Sequence, residues 1–414
     1  MTQLGPLAGD TLVQRYRRVR QQTLQLCAGL TAEDMMVQTM PDTSPTKWHL
    51  AHTTWFFEQF LLAQDPRYRP RNPAWQYLFN SYYQSVGPMH ARPRRGLLSR
   101  PTLEEVLAYR RHVDEAVGAM LLRDDEPAPA AVIELGLQHE QQHQELLLTD
   151  ILHAFWSNPL LPAYQQIEPA GPTASVPLQF LRGGEGVVEI GHAGEGFAFD
   201  NETPRHRSLL ASHALANRLV TNGEYAAFVH DGGYREPSLW LSDGWATVQN
   251  EGWQRPLYWQ PDLASAFSLA GVQALDPAAP VCHLSYYEAD AFARWAGARL
   301  PTEPEWEAAA STLPVRGNLL DGVPRLPQAA DGTGLLQMYG DAWEWTASPY
   351  VAYPGFRPLP GALGEYNGKF MCGQWVLRGG SCATPVGHVR ASYRNFFPPQ
   401  ARWQFAGLRL AKDR

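Results

Sequence analysis

One long helical segment constrains this chain most, because it carries two histidines one turn apart. Apolar residues recur at helical spacing from Ala130 to Trp156, and neither Pro nor Gly follows Gly136 within the segment. His139 and His143 lie four residues apart, so both imidazoles extend from the same face of a helix. Such a pair can ligate one metal ion, but an incidental pair on an amphipathic helix has the same spacing. Further ligands elsewhere in the chain must therefore decide whether this segment forms a metal site.

Three earlier segments are also predicted to be helical and to pack with this one. Residues from about 10 to 30 carry an apolar stripe at helical spacing, and another helix is expected from Thr102, where Glu105 completes a capping box. Residues 65–100 are rich in Pro, Arg and Tyr and are predicted to form a long loop. Together the helical segments predict an antiparallel four-helix bundle with a site in its core.

The second of these helices supplies two more histidines, His49 and His52. We expect Ser44 to be its N-cap and Pro45 its first helical residue, because a Ser hydroxyl accepts a backbone N–H and Pro has none to satisfy. His49 and His52 lie three residues apart, so they share roughly one side of the helix. Either could complete a metal site with the two histidines of the long segment.

The chain of 414 residues is long enough for two domains, and its character changes after the long helical segment. A linker rich in Pro and Gly follows, and beyond it the predicted strands are short, glycines are frequent and tryptophans are dense. Only two helices are predicted there, Asn222–His230 and Ser285–Ala296. We therefore expect an α+β protein with a helical bundle over residues 1–165 and an irregular mixed domain over residues 176–414.

Composition and charge exclude several classes of protein. The net charge is −7 and no run of Lys or Arg occurs, which argues against a nucleic-acid partner. No apolar run approaches the ~18 residues of a membrane span, so no membrane partner is expected. The four cysteines are widely spaced and no signal peptide is evident, which together favour a reducing cytoplasm. A homo-oligomer is compatible with this composition.

Four short motifs occur in order in the second half of the chain: Ala298-Arg-Leu-Pro-Thr-Glu-Pro-Glu-Trp-Glu307, Gly340-Asp-Ala-Trp-Glu-Trp345, Leu377-Arg-Gly-Gly-Ser381 and Gly407-Leu-Arg409. Together they resemble the formylglycine-generating-enzyme/sulfatase fold, which is related to C-type lectins. In the first half, Ser44-Pro-Thr-Lys-Trp-His-Leu-Ala-His52 and His139-Glu-Gln-Gln-His143 resemble a DinB-type four-helix bundle. The two domains in this order resemble the EgtB-type, iron-dependent sulfoxide synthases of ergothioneine biosynthesis, over nearly the whole chain.

That resemblance implies that His52, His139 and His143 bind iron(II), Fe2+, and that hercynine, cysteine and O2 are the substrates. Three neutral imidazoles leave the ion doubly charged with open coordination positions, which suits an anionic thiolate. A carboxylate ligand would cancel part of this charge and weaken thiolate binding. His49 is the competing ligand on the second helix, and the family match favours His52.

The resemblance also assigns substrate contacts. In this family the Gln before the last ligand contacts the imidazole of hercynine, the trimethylated form of histidine, and Gln142 matches that position. The segment Tyr393-Arg-Asn-Phe-Phe397 resembles the one that receives the other end of hercynine, which assigns Asn395 to its carboxylate or betaine region. Phe396 is assigned to the pocket wall, since a quaternary ammonium favours aromatic faces. Phe397 is a candidate for the same pocket, although core packing explains it as well. Family members that use γ-glutamylcysteine have Asp at this position. The absence of that Asp here favours free cysteine as the thiol substrate.

A tyrosine hydroxyl beside the reacting O2 can deliver a proton and steer oxidation away from the thiol. Tyr82 and Tyr83 resemble the pair found in the cysteine-using branch of the family, and one of the two is expected to have this role. The other branch takes this tyrosine from the second domain, where Tyr366 is the nearest candidate in the present chain.

The loop that carries the tyrosines also contains Arg92-Pro-Arg-Arg95. Arg92 is the candidate clamp for the carboxylate of cysteine, since a guanidinium binds a carboxylate bidentately. Arg94 and Arg95 are expected to be solvated residues of the same basic loop.

Zinc hydrolases share part of these motifs. The segment His139-Glu-Gln-Gln-His143 matches the H-E-x-x-H pattern, with Glu140 as general base. The metzincin continuation fails, because Leu146 and Thr149 stand where Gly and a third His are required. Glu140 lies about 100° around the helix from His139, so we expect it outside the metal ligands.

Two further alternatives follow from the second domain and from the substrates. A formylglycine-type cysteine oxidase would need a pair of cysteines after the Arg-Gly-Gly-Ser motif, and only Cys382 follows Ser381. One thiol cannot replace that pair. A related C–S or C–Se bond-forming enzyme with another chalcogen donor is the remaining alternative.

Overall fold

The computed structural model describes residues 10–123, 129–167, 174–365 and 367–414. The helices within these residues are α1 (Leu12–Cys27), α2 (Thr46–Phe60), α3 (Trp75–Phe79), α4 (Leu103–Leu121), α5 (Ala130–Trp156), α6 (Asn222–His230), α7 (Ser242–Glu251), α8 (Tyr286–Trp295) and α9 (Glu303–Ala310). The four long helices α1, α2, α4 and α5 form the predicted bundle, and α5 has the predicted bounds. None of the helices in the described residues is long and apolar enough to cross a membrane.

Local capping explains where α4 begins, whereas the prediction for α2 is wrong. Thr102 accepts the Glu105 N–H at 3.2 Å, and Glu105 accepts the Thr102 N–H at 2.7 Å, which confirms the capping box. In α2, Pro45 is the N-cap and Thr46 is the first helical residue. Ser44 lies before the helix and does not cap it, because its N–H donates to Asp150 Oδ2 at 2.8 Å and its hydroxyl accepts from Arg95 at 3.0 Å.

Close packing of α5 on α2 depends on Gly136, three residues before His139. A Cβ at Gly136 would lie 2.5 Å from an edge carbon of the Phe57 ring on α2, which is too close for any side chain. Glycine costs a helix interior about 1 kcal/mol relative to Ala, so its presence here is explained by the close approach. That approach brings His52 of α2 to the face of α5 that carries His139.

Among the described residues of the second half, the strands form two small sheets and two hairpins. They are β1 (Phe180–Arg182), β2 (Gly186–Ile190), β3 (His206–Leu210), β4 (His213–Ala216), β5 (Ser265–Ser268), β6 (Gly271–Ala274), β7 (Trp343–Pro349), β8 (Trp375–Arg378), β9 (Asn395–Phe397), β10 (Ala406–Gly407) and β11 (Ala411–Asp413). One sheet has the order β1-β4-β11 and the other β10-β7-β8-β9, in which only β10 and β7 are parallel. The hairpins are β2–β3 and β5–β6. Helices and strands together confirm the predicted α+β class.

The four motifs of the second half pair with one another in its core. Arg378 of β8 donates to Glu307 of α9 at 2.5 Å, and Arg409 donates to Glu344 of β7 at 2.8 Å. All four side chains are buried. Helices α7 and α9 were not predicted, and in α9 the two prolines of the first motif obscured the helical pattern. The motifs therefore form the structural core of this domain.

Glu145 of α5 joins the bundle to the second domain. Its carboxylate accepts hydrogen bonds from Trp343 Nε1 at 2.7 Å, Ser381 Oγ at 2.6 Å and Thr384 Oγ1 at 2.6 Å. Burial raises the pKa of Glu145, and the three donors act against that rise. Since Glu145 lies two residues after His143, its contacts hold this turn of α5, on a face other than that of the histidines, against the second domain.

Candidate metal centre and adjoining substrate site

Three imidazoles converge at the contact of α2 and α5. His52, His139 and His143 each offer one nitrogen, and these nitrogens all lie within 4.8 Å of one another. The three side chains are buried. Burial lowers the pKa of His139 to about 3 and holds the pKa values of His52 and His143 well below the usual range, with mutual repulsion adding to the effect. The imidazoles are therefore neutral at pH 7, which is the form that binds a metal.

Hydrogen bonding fixes which nitrogen His52 presents. Its Nδ1 lies 2.6 Å from the Phe79 carbonyl oxygen, which can only accept, so Nδ1 carries the proton. Its Nε2 is buried and has no hydrogen-bond partner among the described residues. A buried nitrogen of this kind is costly unless something binds it. Three neutral imidazole nitrogens in one place form a donor set that fits Fe(II).

His143 is oriented differently, through a second histidine. His143 Nδ1 lies 2.8 Å from His49 Nδ1, and His49 Nε2 lies 2.9 Å from Asp150 Oδ2. His49 is 3% exposed, so it lies in the interior of the bundle and not on the surface of α2. Both of its ring nitrogens are engaged by His143 and Asp150, which leaves His52 as the histidine of α2 in the cluster.

Glu140 faces away from the imidazoles into an ion-pair network. One carboxylate oxygen accepts from Arg20 at 2.8 Å, and the other accepts from Thr23 Oγ1 at 2.6 Å and from Arg110. Burial opposes ionisation of this carboxyl, yet the two guanidiniums lower the pKa of Glu140 to about 2. A carboxylate held this way has no free oxygen for a water at the metal, which agrees with its predicted place outside the ligands and removes the base that a zinc hydrolase would need.

Tyr82 and Tyr83 lie on different sides of the loop that carries them. Tyr83 is buried, packs on Phe60 at 4.8 Å between ring centroids, and lines a small cavity together with His139. Tyr82 is half-buried and packs edge-to-face on Phe370 of the second domain at 5.1 Å. Both tyrosines therefore adjoin the region between the imidazoles and the second domain. Tyr366 lies outside the described residues.

The prediction that Arg95 is solvated is wrong. Arg95 is 3% exposed. Its guanidinium donates to Ser44 Oγ at 3.0 Å and to Ser81 Oγ at 2.8 Å. The central carbon of the guanidinium lies 3.4 Å from the centre of the Trp48 ring. Burial lowers the pKa of Arg95 to about 9. No carboxylate of the described residues forms an ion pair with it. Trp48 in turn stacks on His52 with 4.5 Å between the ring centroids, so the Arg95 cation lies near the imidazole cluster.

Arg92, the predicted carboxylate clamp, is half-buried and donates to the backbone carbonyl of Asp42. With Arg95 it flanks Tyr82: burial acts to raise the pKa of the Tyr82 phenol, but the two guanidiniums lower it overall. The segment Arg92–Leu97 is a 3-10 helix, in which residues three apart share a side. That three-residue spacing is the sequence signal that could have placed Arg95 beside Arg92.

Gln142 is held by the second domain. Its Nε2 donates to Tyr393 Oη at 2.7 Å, and Tyr393 Oη lies 3.1 Å from Nε2 of His388. The other ring nitrogen of His388 lies 2.8 Å from Gln138 Oε1, so two turns of α5 share one network with Tyr393. His388 carries no motif in the sequence, and only the fold shows that it supports Gln142.

The predicted hercynine segment forms strand β9. Phe396 stacks on Tyr350 at 4.0 Å and lies 6.0 Å from Phe370, the ring that also contacts Tyr82. Asn395 is half-buried, and its side-chain oxygen accepts the Phe396 N–H at 2.9 Å. Phe397 instead packs within the core of the second domain, which favours the core-packing alternative. The structure thus connects Phe396 with Tyr82 through one row of rings and leaves Phe397 apart from it.

Cys382 lies deep in the second domain, in contact with the bundle core. It is fully buried, and burial raises the pKa of its thiol well above the usual range. A nucleophilic or oxidisable cysteine requires an accessible, acidified thiol. Cys382 therefore has the properties of a packing residue, which disfavours a formylglycine-type oxidase.

Two protein-family models match this chain. The sulfatase-modifying factor enzyme 1-like domain matches residues 178–322 and 321–414, and the DinB superfamily matches residues 15–147. The matched ranges follow the strand-containing half and the helical half of the structure. Both agree with the domain types that the sequence motifs indicate.

Known proteins similar to this chain extend over both halves. A hercynine oxygenase from Mycolicibacterium thermoresistibile is 35% identical and covers 95% of this chain and 93% of its own length. A hercynine oxygenase from Mycobacterium tuberculosis is 33% identical and covers 98% of this chain and 99% of its own length. A formylglycine-generating enzyme from Streptomyces coelicolor is 34% identical and covers 56% of this chain and 88% of its own length.

Proposed function

Because this chain belongs to the hercynine oxygenase family, we propose that it joins hercynine to cysteine with O2 at an Fe(II) ion held by His52, His139 and His143. The observation that carries this proposal is the cluster of three buried, neutral imidazoles in a chain that matches hercynine oxygenases along both domains. Bound Fe(II) would supply open coordination positions and the one-electron chemistry that reaction with O2 requires.

The proposed reaction balances without an external reductant. A C–S bond forms between C2 of the imidazole and the cysteine sulfur, while the C2–H and S–H bonds break. The two hydrogens leave with one oxygen atom as water, and the other oxygen atom becomes the sulfoxide oxygen. The four electrons that O2 accepts therefore come from the two organic substrates.

Arg95 is the residue that we now assign to the carboxylate of cysteine, with Arg92 beside it. A buried guanidinium that meets only hydroxyls and an aromatic face favours an anion, because a charge in that environment is costly until it is paired. A carboxylate binds the planar fork of Arg with two parallel hydrogen bonds. Arg95 stacks on Trp48 and Trp48 stacks on His52, so a carboxylate bound at Arg95 would lie near the imidazole cluster.

Gln142 and the aromatic row are assigned to hercynine. The amide nitrogen of Gln142 is used by Tyr393, and its amide oxygen is the acceptor that we assign to the imidazole N–H of the substrate. Phe396, stacked on Tyr350, offers an aromatic face for the trimethylammonium group. Asn395 is assigned to the carboxylate end of hercynine.

Tyr82 and Tyr83 are the two candidates for the proton donor. Tyr83 shares a cavity with His139, whereas Tyr82 lies beside the guanidiniums of Arg92 and Arg95. A hydroxyl at the reacting oxygen supplies a proton and so favours C–S coupling over oxidation of the thiol. We also propose a cytoplasmic location, which suits a chain whose four cysteines are free thiols.

Oxygen consumption with product analysis tests this function. Protein loaded with Fe(II) without air is mixed with O2 and hercynine, and with either cysteine or γ-glutamylcysteine. We expect O2 uptake that needs both substrates, a preference for cysteine, and a product with the mass of both substrates less two hydrogens plus one oxygen. Labelled O2 should add one labelled oxygen to that product. Absence of this product, or peptide cleavage by the zinc-loaded protein in its place, would contradict the proposal.

A further inference from the structure

We propose that His49 and Asp150 are positioning residues that orient the metal ligand His143 and strengthen its bond to the ion. The inference deepens the proposed function, since it concerns the same metal site. Two contacts carry it: His143 Nδ1 lies 2.8 Å from His49 Nδ1, and His49 Nε2 lies 2.9 Å from Asp150 Oδ2. His49 and Asp150 are 3% and 7% exposed, so solvent does not compete for these bonds.

The direction of the hydrogen bonds between His143, His49 and Asp150 follows from the two groups at the ends, the Asp150 carboxylate and the metal ligand His143. The carboxylate of Asp150 can only accept, so His49 Nε2 carries the proton and donates. When His143 Nε2 binds an ion, the proton of His143 is on Nδ1, and His49 Nδ1 is the acceptor that faces it. His143 Nδ1 must then be the donor to His49. The remaining nitrogen of His143, Nε2, keeps its lone pair for the ion.

The position of Asp150 is itself fixed from two elements. It lies on α5 seven residues after His143, so both side chains extend from the same face of the helix. Its Oδ2 also accepts the backbone N–H of Ser44 at 2.8 Å, just before α2 begins. The relay of His143, His49 and Asp150 therefore joins the two helices that carry the ligands and holds them in one register.

The ligands His52 and His143 differ in which group binds the ring nitrogen that does not face the ion. His52 donates to a neutral backbone carbonyl, whereas the relay from His143 ends on a carboxylate. A carboxylate behind an imidazole raises its basicity as a ligand, and loss of such a partner lowers metal affinity by about 10- to 100-fold. His143 is therefore expected to be the ligand whose bond depends most on distant residues.

Metal affinity in variants of the relay tests this inference without any turnover. Dissociation constants for Co(II) and for anaerobic Fe(II) are measured for Asp150→Asn, His49→Phe, His49→Gln and the double variant His49→Phe/Asp150→Asn. Asp150→Asn and His49→Phe should each weaken binding by about 10- to 100-fold and shift the visible bands of the Co(II) form. Because the two residues act in series, the double variant should bind no more weakly than His49→Phe alone.

The variant His49→Gln and one control separate positioning from mere packing. His49→Gln keeps a donor for Asp150 and an acceptor for His143, so it should retain most of the affinity that His49→Phe loses. The matched control is His153→Gln, which changes another buried histidine of α5 that is bonded to Thr39 Oγ1 at 2.6 Å and should leave affinity unchanged. Far-ultraviolet circular dichroism confirms that each variant is folded.

Wild-type affinity in Asp150→Asn, an additive loss in the double variant, or equal losses in His49→Gln and His49→Phe would overturn the inference. Failure of the proposed function would look different. In that case the wild-type protein itself would fail to bind the metal or to form the coupled product.

Discussion

Buried arginines in the two domains differ in what they contact. In the second domain, Arg378 and Arg409 each meet a buried carboxylate, at 2.5 Å and 2.8 Å. In the bundle, Arg95 is buried at 3% exposure but contacts two hydroxyls and the face of Trp48. The charges of Arg378 and Arg409 are therefore neutralised by carboxylates of the protein, whereas no carboxylate of the described residues forms an ion pair with Arg95.

The same contrast occurs within one helix. On α5, Glu140 is neutralised by Arg20 and Arg110, while its neighbour His139 belongs to the imidazole cluster. Buried charges with protein partners hold the fold together, and a buried cation without a carboxylate beside it marks where an anionic ligand binds. We therefore expect changes at paired buried charges to alter the free energy of unfolding, and changes at the ligand site to alter substrate binding.

Removing one partner of a paired charge should have the largest effect on stability. Arg378→Leu leaves Glu307 buried without its cation, while Glu303 keeps its ion pair with Arg394, and we expect the free energy of unfolding to fall by about 3–5 kcal/mol. Urea unfolding followed by tryptophan fluorescence measures this loss. A change below about 1 kcal/mol would show that the ion pairs do not hold this domain together.

Asp341 differs from the ion-paired carboxylates, because this buried carboxyl of the second domain is held by neutral donors. One of them is Asn318 Nδ2, at 2.8 Å. Burial raises the pKa of Asp341 to about 6, above its value of about 3.9 in an unfolded chain. A raised pKa means that its contribution to stability is fully present below about pH 4 and is lost as pH rises through 6.

Replacement of Asp341 by Asn should therefore become more favourable as pH rises. Asn tolerates the positive φ of this position, 57°. The difference in unfolding free energy between Asp341→Asn and the wild type should shift by up to about 3 kcal/mol in favour of the variant between pH 4 and pH 7. Unfolding at several pH values measures this shift, and parallel pH profiles for the two proteins would contradict it.

Replacement of the unpaired cation should affect substrate binding and spare stability. In Arg95→Met we expect KM for cysteine to rise by about 10- to 100-fold, since hydrogen bonds to charged groups contribute about 1.5–3 kcal/mol. The free energy of unfolding should stay the same or increase, because a buried unpaired charge is removed. Arg94→Met is the control, because Arg94 is exposed and should change neither quantity. A large loss of stability in Arg95→Met with unchanged KM would place Arg95 among the structural residues.

The smallest effect concerns the partition between products. Tyr→Phe at position 82 or 83 should keep O2 uptake but divert product from sulfoxide towards cysteine sulfinate, because the proton donor is lost. A tenfold change in this ratio needs only about 1.4 kcal/mol between competing barriers. Product analysis of Tyr82→Phe, Tyr83→Phe and the double variant at saturating hercynine measures the ratio. Wild-type ratios in all three would exclude both tyrosines as the donor.

Local sequence signals predicted what depends on local physics. Helix α5 has its predicted bounds because its apolar spacing runs without a breaker, and Thr102 begins α4 because its capping box involves residues three apart. The helical start at Ser44 was predicted wrongly for a tertiary reason. Its N–H and hydroxyl are taken by Asp150 and Arg95, which are distant in sequence.

The support of the site could not be predicted, because it is made by long-range contacts. His49 and Asp150 are 101 residues apart, and Gln138 and His388 are 250 residues apart. Arg95 appears in a basic, proline-containing run that is typical of a solvated loop, and only the packing of that run turns it inward. Side-chain identity at these positions carries no trace of the partner.

Anaerobic Fe(II) titration of the wild-type protein and of three single variants tests whether the three imidazoles hold the metal. We expect one tightly bound ion per chain in the wild type. In His52→Ala, His139→Ala and His143→Ala we expect loss of tight binding, since two imidazoles hold the ion poorly, while each variant stays folded. Stoichiometric Fe(II) binding by His52→Ala would contradict the proposed metal site, because the ion would then be held by groups other than the three buried imidazoles.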